Sequence, residues 1–320
     1  MKTATPSKES KLLVVCYHYI RKRNQYKYPG IHPIELEEFY TQVKYLNDNF
    51  HMATPEELEA FILENHSLRQ PSIFLTFDDG LKDQAIAAEE VLDQFNIKGG
   101  FFISTKPLTE HRLLMVHKIH WLRATSPPDK FRKEFESILE IKQHRLGMED
   151  DLSDIAIKTY PFDTQEDARL KYYINYLLPT DLVDDISSEM LKLRDIGEEE
   201  LFKITYMNES DIRKLFFKGH IIGCHGHTHT PFSTLNDKEL SAELKTNISI
   251  LEGIIQREIT WVSYPYGMKW SVPQNSDKIL VDLGLRMGFN LDKEDTGWNN
   301  GVESPFWVKR INYNFLESFT

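Results

Sequence analysis

The sequence predicts an α/β protein: a closed or nearly closed β/α barrel of the (β/α)7 type, interrupted by a large helical insertion. Three observations carry this. Short apolar runs bounded by turn residues recur near both ends of the chain, and strand, helix and strand follow one another in the βαβ pattern of a parallel sheet. Polar clusters stand just after several of those runs, on the face where such barrels keep their chemistry. Between about Thr105 and Tyr206 there is helical periodicity and no convincing strand.

In chain order, Lys11 to His18 (KLLVVCYH) reads as a buried strand, followed by a polar loop from Arg21 to Pro33. Phe39, Val43 and Leu46 fall at helical spacing up to about Asn49. Thr54-Pro55-Glu56-Glu57 is a capping box with Pro at the first helical position. Ser72 to Asp79 is the second buried strand and ends at Gly80. Ile86, Val91, Leu92 and Phe95 make a helical stripe over Asp83 to Phe95, and Gly99 to Ser104 is the next strand. The insertion shows one stripe of Phe131, Phe135, Ile138 and Leu139, closed by Gly147. Leu170, Tyr173, Ile174, Leu177 and Leu178 make a second, and Val183, Ile186, Met190 and Leu193 a third. This divides the chain into barrel segments 1–104 and 206–320 and an insertion 105–205. Alternation resumes with a helix from Asp211 to Lys218, a strand 220–224, and a long helix capped by Asp237 with Leu240, Leu244, Ile248, Leu251 and Ile255 on one face. Strands follow at 259–263, 284–290 and 307–312.

Composition narrows the function. The 320 residues are 41% hydrophobic, enough for a sizeable core, and the formal net charge of −11 argues against a nucleic-acid partner. The two cysteines, Cys16 and Cys224, lie in separate apolar runs, which predicts neither a disulfide framework nor a CxxC metal site. The first ten residues are polar, the run after them is too short for a signal-peptide core, and no run approaches a membrane span. A soluble cytoplasmic protein is expected.

Three clusters follow strands: Asp78-Asp79, His225 to His229, and Tyr264-Pro265-Tyr266-Gly267. Two adjacent carboxylates at the end of a buried strand are costly unless a cation or a proton offsets them. His225 and His229, four apart, can present both imidazoles on one side. Two His and one carboxylate are a common donor set for a catalytic divalent ion. A lone HxxxH is weak evidence in a chain with 12 His; one placed after a strand, beside a strand ending in DDG, is far more specific.

These motifs resemble those of the polysaccharide deacetylase family, also called the NodB-homology or carbohydrate esterase 4 family. TFDDG (Thr76 to Gly80) is similar to its first motif, GHIIGCHGHTHTP (Gly219 to Pro231) to its second and SYPYG (Ser263 to Gly267) to its third. The resemblance implies a distorted β/α barrel and a metal-dependent N-deacetylase. Carried over by position, Asp79, His225 and His229 bind the metal, Asp78 is the general base toward water, and the main-chain N–H of Tyr266 helps hold the oxyanion. Zinc is the default ion, with cobalt, nickel or manganese able to use the same ligands. Two positions depart from the family pattern. Its third motif usually carries an Arg that pairs with the catalytic Asp, and here Ser263 stands there. Arg310 is the expected substitute, a surface Arg being the alternative. The general-acid His near the C-terminus has no counterpart after His229. In one branch, similar to the poly-N-acetylglucosamine deacetylases, the motifs are circularly permuted and that His lies on the first strand, which points to His18. His227 is left as a bystander.

The expected function is hydrolysis of an N-acetyl group on an amino sugar, in a cytoplasmic nucleotide- or lipid-linked precursor of a surface polysaccharide, with the insertion capping the barrel mouth. The alternatives are removal of another acyl group such as formyl, hydrolysis of a non-sugar amide on the same barrel, or a non-catalytic sugar-binding protein. His117 and His120 of the insertion read as packing or cap residues. Trp270 and Trp298 are read as core or sugar-stacking residues, and the acidic runs Glu149 to Asp154 and Glu198 to Glu200 as solvated faces. The oligomeric state is open.

Overall fold

The computed structural model describes residues 10–23, 27–28, 30–144, 152–160, 163–273, 276–291, 297–301 and 304–318. Residues 1–9, Gly147 and residues 149–151 of the acidic run Glu149 to Asp154 lie outside them. The chain divides into two compact units, one of 1–22, 33–110 and 205–320, the other of 23–32 and 111–204.

In the first unit the strands are β1 (Leu12–Tyr17), β2 (His51–Met52), β3 (Ser72–Phe77), β4 (Gly99–Ile103), β5 (Ile221–Cys224), β6 (Trp261–Ser263), β7 (Met287–Phe289), β8 (Trp298–Asn299) and β9 (Arg310–Asn312). They form one curled sheet in the order β7-β6-β5-β4-β3-β1-β8, with β2 on β3 and β9 on β1. Every pairing is parallel except β1 with β8. The two far edges meet through the last strand. β9 pairs with β1, while Val308 just before it bridges Phe289 of β7. Val308 donates to the Gly288 carbonyl at 2.9 Å and accepts from Asn290 N–H at 3.1 Å. The result is the distorted α/β barrel that the motifs implied, drawn from the seven strands read in the sequence. The two-residue β2 and β8 were too short to carry a pattern.

Side chains alternate across this sheet with period two. One face of the strands, with Leu13, Val15, Tyr17, Ile73, Leu75, Phe77 and Phe101, packs beneath the helices Leu36–Asn49, Ala88–Phe95 and Asp237–Ile255. The other, with Leu12, Val14, Phe74, Phe102, Trp261, Met287, Phe289 and Val308, fills the inside. Helix Pro55–Leu63 closes the N-terminal end of the ring. Its Leu58, Phe61 and Ile62 join the inner cluster, and its Glu59 accepts from the Trp261 indole N–H at 2.8 Å. That helix starts at the predicted capping box on Thr54. The inward series turns polar toward the strand C-termini, at Cys16, Asp78, His225, Ser263 and Arg310, all buried. Gly223 makes room there: a Cβ on it would stand 2.5 Å from the Phe102 ring.

Several local expectations shift. The helix over 82–95 contains a π-helical turn, Ala88–Leu92, which rotates the residues on either side. The buried stripe is Ala87, Ala88, Val91 and Leu92, and Ile86 is 44% exposed. The helix before strand β5 begins at Glu209, capped by Asn208, and the long helix is capped by Asn236, with Asp237 its first helical residue. Trp298 lies opposite Leu13 at the N-terminal end of β1, the end away from Asp78, under the Lys11 ammonium.

The second unit is helical, with Phe131, Phe135, Ile138, Leu139, Leu170, Tyr173, Ile174, Val183, Ile186 and Met190 buried. Leu177 closes another π-helical turn, Tyr173–Leu177, and is 46% exposed. Leu193, the last residue of its helix, is 72% exposed. Glu198 is not a solvated acid. It accepts from Leu113 N–H at 3.1 Å and lies 3.4 Å from the fully buried Lys118, which also donates to Asp184 at 2.6 Å. His117 is buried and His120 half-buried, their rings 5.8 Å apart.

His220 opens the second motif and ties β5 to β4. Its Nδ1 accepts from Gly99 N–H at 3.1 Å, so the ring is neutral with its proton on Nε2. Burial, helped by the Lys98 charge, lowers its pKa from 6.5 to about 4. The folded value lies below the unfolded one, so this contribution is complete above about pH 6.5 and is lost as pH falls toward 4. At 1.36 kcal/mol per pH unit the loss is on the order of 3 kcal/mol. Denaturant unfolding at pH 7 and 4.5 should show wild type losing about 2 kcal/mol more than His220→Asn, whose amide oxygen can still accept from Gly99. Equal losses in the two proteins would refute this.

Candidate active site

Asp78 and Asp79 follow β3, and strand periodicity alone would send them to opposite faces. Asp79 breaks the alternation by taking φ = 79°, with Gly80 at 75° behind it. A Cβ on Gly80 would meet Ile103 at 2.8 Å, so this turn requires glycine twice over. His229 (φ 62°) and Tyr266 (φ 65°) are also left-handed. For a residue with a Cβ this conformation costs about 1–2 kcal/mol. Its recurrence at three predicted site residues shows that their surroundings hold them there.

Asp79, His225 and His229 come together, buried, with their ligand atoms within 4.8 Å of one another. Both His Nε2 atoms lie 3.2 Å from Asp79 Oδ1. His225 Nδ1 donates to the Ser263 carbonyl at 2.8 Å, which leaves the lone pair of a neutral ring on Nε2, aimed at a carboxylate oxygen. Two lone pairs facing each other need a proton or a cation between them. Ligands about 2.0–2.1 Å from a tetrahedral ion stand roughly 3.3 Å apart. The spacing and the donor set therefore fit a divalent ion. The Ser263 carbonyl behind His225 is the kind of outer contact that orients a metal-binding imidazole.

Asp78 is held differently. Arg310 donates Nη1–H to Oδ1 at 2.8 Å and Nη2–H to Oδ2 at 2.7 Å. The Ser263 hydroxyl donates to Oδ2 at 3.0 Å while accepting from Arg310 Nη2 at 2.8 Å, and the Cys16 thiol reaches Oδ2 at 3.5 Å. Ser263, at the position where the resembled third motif carries an Arg, thus bridges to the Arg supplied from β9. Burial raises the carboxyl, but Arg310, with His225, outweighs it and holds Asp78 well below the usual carboxylate range. Burial pushes the Cys16 thiol up, keeping it a neutral donor. Oδ2 is saturated by these three partners, so Oδ1 is the oxygen with room for a further proton.

His18 is half-buried one residue past β1. One of its ring nitrogens lies within 4.8 Å of Cys16 Sγ and of an Asp78 oxygen. The Tyr266 ring stands 5.2 Å from that of His229. His227 turns aside, its Nδ1 3.0 Å from Thr105 Oγ1. The loop is fixed from behind by helix Asp237–Ile255. Glu243 accepts from Thr228 N–H at 2.5 Å and from its hydroxyl at 2.9 Å, and the Asn247 amide donates to the carbonyls of Gly226 and Ile103. Sequence reading passed over Cys16, Glu243 and Asn247. Signals existed for two of them: Cys16 shares a strand face with His18, and Asn247 is a lone amide on the stripe Leu240, Leu244, Leu251.

The molecule is thus an α/β barrel with a carboxylate–imidazole cluster at the C-terminal ends of its strands. Comparison with known proteins shows what this chain is similar to. Residues 196–288 match the family model "Polysaccharide deacetylase". The "Putative polysaccharide deacetylase YxkH" of Bacillus subtilis (strain 168) is 26% identical over 143 residues, 44% of this chain and 42% of that protein, so the match spans less than half of this curated relative. Among solved structures, Streptococcus pyogenes deacetylase PplD in complex with acetate superposes with a TM-score of 0.58 at 12% identity, over 98% of this chain and 100% of that one. IcaB from Ammonifex degensii gives 0.56 at 15% identity, over 97% and 95%. The BpsB deacetylase domain from Bordetella bronchiseptica gives 0.54 at 14%, over 96% and 98%. The chain is similar to a polysaccharide deacetylase over residues 196–288, and it shares its fold with these solved deacetylase structures. Among the described residues, no helix is long and apolar enough to cross a membrane.

Proposed function

We propose that this protein is a metal-dependent hydrolase that removes an N-acetyl group from an amino sugar of a glycan or glycan precursor. The observation that carries the reading is an ionised carboxylate, Asp78, locked by Arg310 directly beside the Asp79–His225–His229 donor set. A divalent ion held by that set, zinc by default, would polarise the amide carbonyl and acidify nearby water. Asp78 Oδ1 takes the proton of the attacking water as its oxygen bonds to the carbonyl carbon. The C–N bond then breaks, with His18 supplying the proton that lets nitrogen leave as an amine, and acetate is released. The Tyr266 N–H is assigned to the oxyanion. A carboxylate as stabilised as Asp78 is a weak base, which is why the same mouth needs the ion. Cys16 and Cys224 are both buried free thiols, in keeping with a reducing compartment and a cytoplasmic precursor as substrate.

The test is release of acetate from N-acetylglucosamine oligomers by metal-stripped protein reloaded with Zn²⁺, beside formate release from matched N-formyl sugars. Acetate release that depends on the ion is expected. Preferential formate release would make it a deformylase, and ion uptake without release of either would make it a sugar-binding protein.

A further inference from the structure

We propose that Gln84 is the positioning residue that registers His18 against Asp78, an inference that rests on the hydrolase reading above. β1 and β3 run side by side to Tyr17 and Phe77, and their last main-chain rung is Asp78 N–H to the Tyr17 carbonyl at 3.1 Å. Past it the strands cannot continue the ladder, because Asp79 turns away at positive φ. The carbonyls of His18 and Asp78 then both face the gap, and no main-chain donor to either is seen among the described residues. The fully buried side chain of Gln84 supplies it. Its Nε2 donates to His18 O at 3.1 Å and to Asp78 O at 2.6 Å, while its Oε1 accepts from Leu81 N–H at 3.2 Å. One amide thereby extends the β1–β3 register by one rung, and that rung joins the backbone of the proposed acid to that of the proposed base. These hydrogen bonds of the Gln84 side chain go to Leu81, His18 and Asp78, and not to the side chains of Asp79, His225 or His229. The proton donor and acceptor must be placed to within a fraction of an ångström for transfer, so loosening the rung should slow turnover more than it weakens binding.

Gln84→Glu isolates this role. Buried against two carbonyl oxygens, the new carboxyl takes up a proton; it keeps an acceptor for Leu81 N–H and at most one donor, so at least one of the two bonds made by Nε2 is lost. Gln84→Met, of similar length, serves as the second variant should the first fail to fold. For acetate release from N-acetylglucosamine oligomers, kcat should fall about 10- to 100-fold. KM and Zn²⁺ affinity should each stay within about twofold. In a His18→Gln background the same change should cost less than about threefold. A kcat within about threefold of wild type, a parallel loss of Zn²⁺ affinity, or full additivity with His18→Gln overturns the proposal. Should wild type release no acetate, the hydrolase reading fails, and ¹⁵N-histidine spectra decide on Gln84 alone. Movement of the His18 ring resonances with those of His225 and His229 unchanged supports the rung; an unmoved His18 overturns it.

Discussion

Arg310→Met is expected to lower turnover by at least about a hundredfold and unfolding free energy by about 3–5 kcal/mol, the cost of leaving a buried charge without its partner. Arg310 is 1% exposed and uses all five of its N–H donors: Nε to Asn290 O, Nη1 to Thr76 Oγ1 and Asp78 Oδ1, and Nη2 to Asp78 Oδ2 and Ser263 Oγ. Its guanidinium also lies over the Phe102 ring, 5.6 Å from the centroid. Methionine fills similar space but supplies no donor. Asp78 then keeps only Ser263 and Cys16, and burial drives its carboxyl toward protonation, which removes the base. Arg310→Lys keeps the charge without the planar fork and should fall between the two. Urea unfolding and acetate release on the three proteins check this. A methionine variant as stable as wild type would mean that the pair contributes no net stability. One that retains a third of the activity would mean that Asp78 does not work through Arg310.

Asp79→Asn and Asp78→Asn should fail in different ways, although the residues are neighbours. Asp79 Oδ1 is the oxygen shared by His225 and His229, so its loss should weaken Zn²⁺ binding by more than about a hundredfold, beyond the effect of losing an outer-sphere partner. Asp78 faces Arg310, Ser263 and Cys16 instead. Its amide variant should bind Zn²⁺ within a few-fold of wild type and lose about 10²–10⁴ in kcat, the range for a missing general base. Calorimetric titration of the metal-stripped proteins separates the two. If Asp78→Asn loses the ion and Asp79→Asn keeps it, the roles are exchanged. If wild type binds none, the donor-set reading is wrong.

Much of this was legible in the linear chain. The apolar runs ending at Tyr17, Phe77 and Cys224 are strands because β-branched and aromatic residues stand together with turn formers after them, and each hands a polar residue to the mouth of the barrel. Thr54 announced its helix through a capping box whose partners are three residues apart. His225 and His229 declared themselves by spacing, and Asp78-Asp79 by their cost at a strand end. The exceptions were also local: the π-helical turns at Ala88–Leu92 and Tyr173–Leu177 displaced Ile86 and Leu177 because a stripe drawn at 3.6 residues per turn does not survive a wider turn.

What the sequence by itself determined is the order of strands and helices, the insertion, and the residue types gathered after each strand, since periodicity, capping and turn chemistry act over a few residues. What only the tertiary structure decided is who meets whom. Arg310 stands 232 residues from Asp78 and reaches it because β9 closes the ring beside β1. Ser263 proves to be a bridge, Trp298 falls at the N-terminal end of β1, and Gln84 spans two strand ends. Each of these depends on strand register, which is set by how the whole sheet curls and packs, and no window of neighbouring residues contains that information.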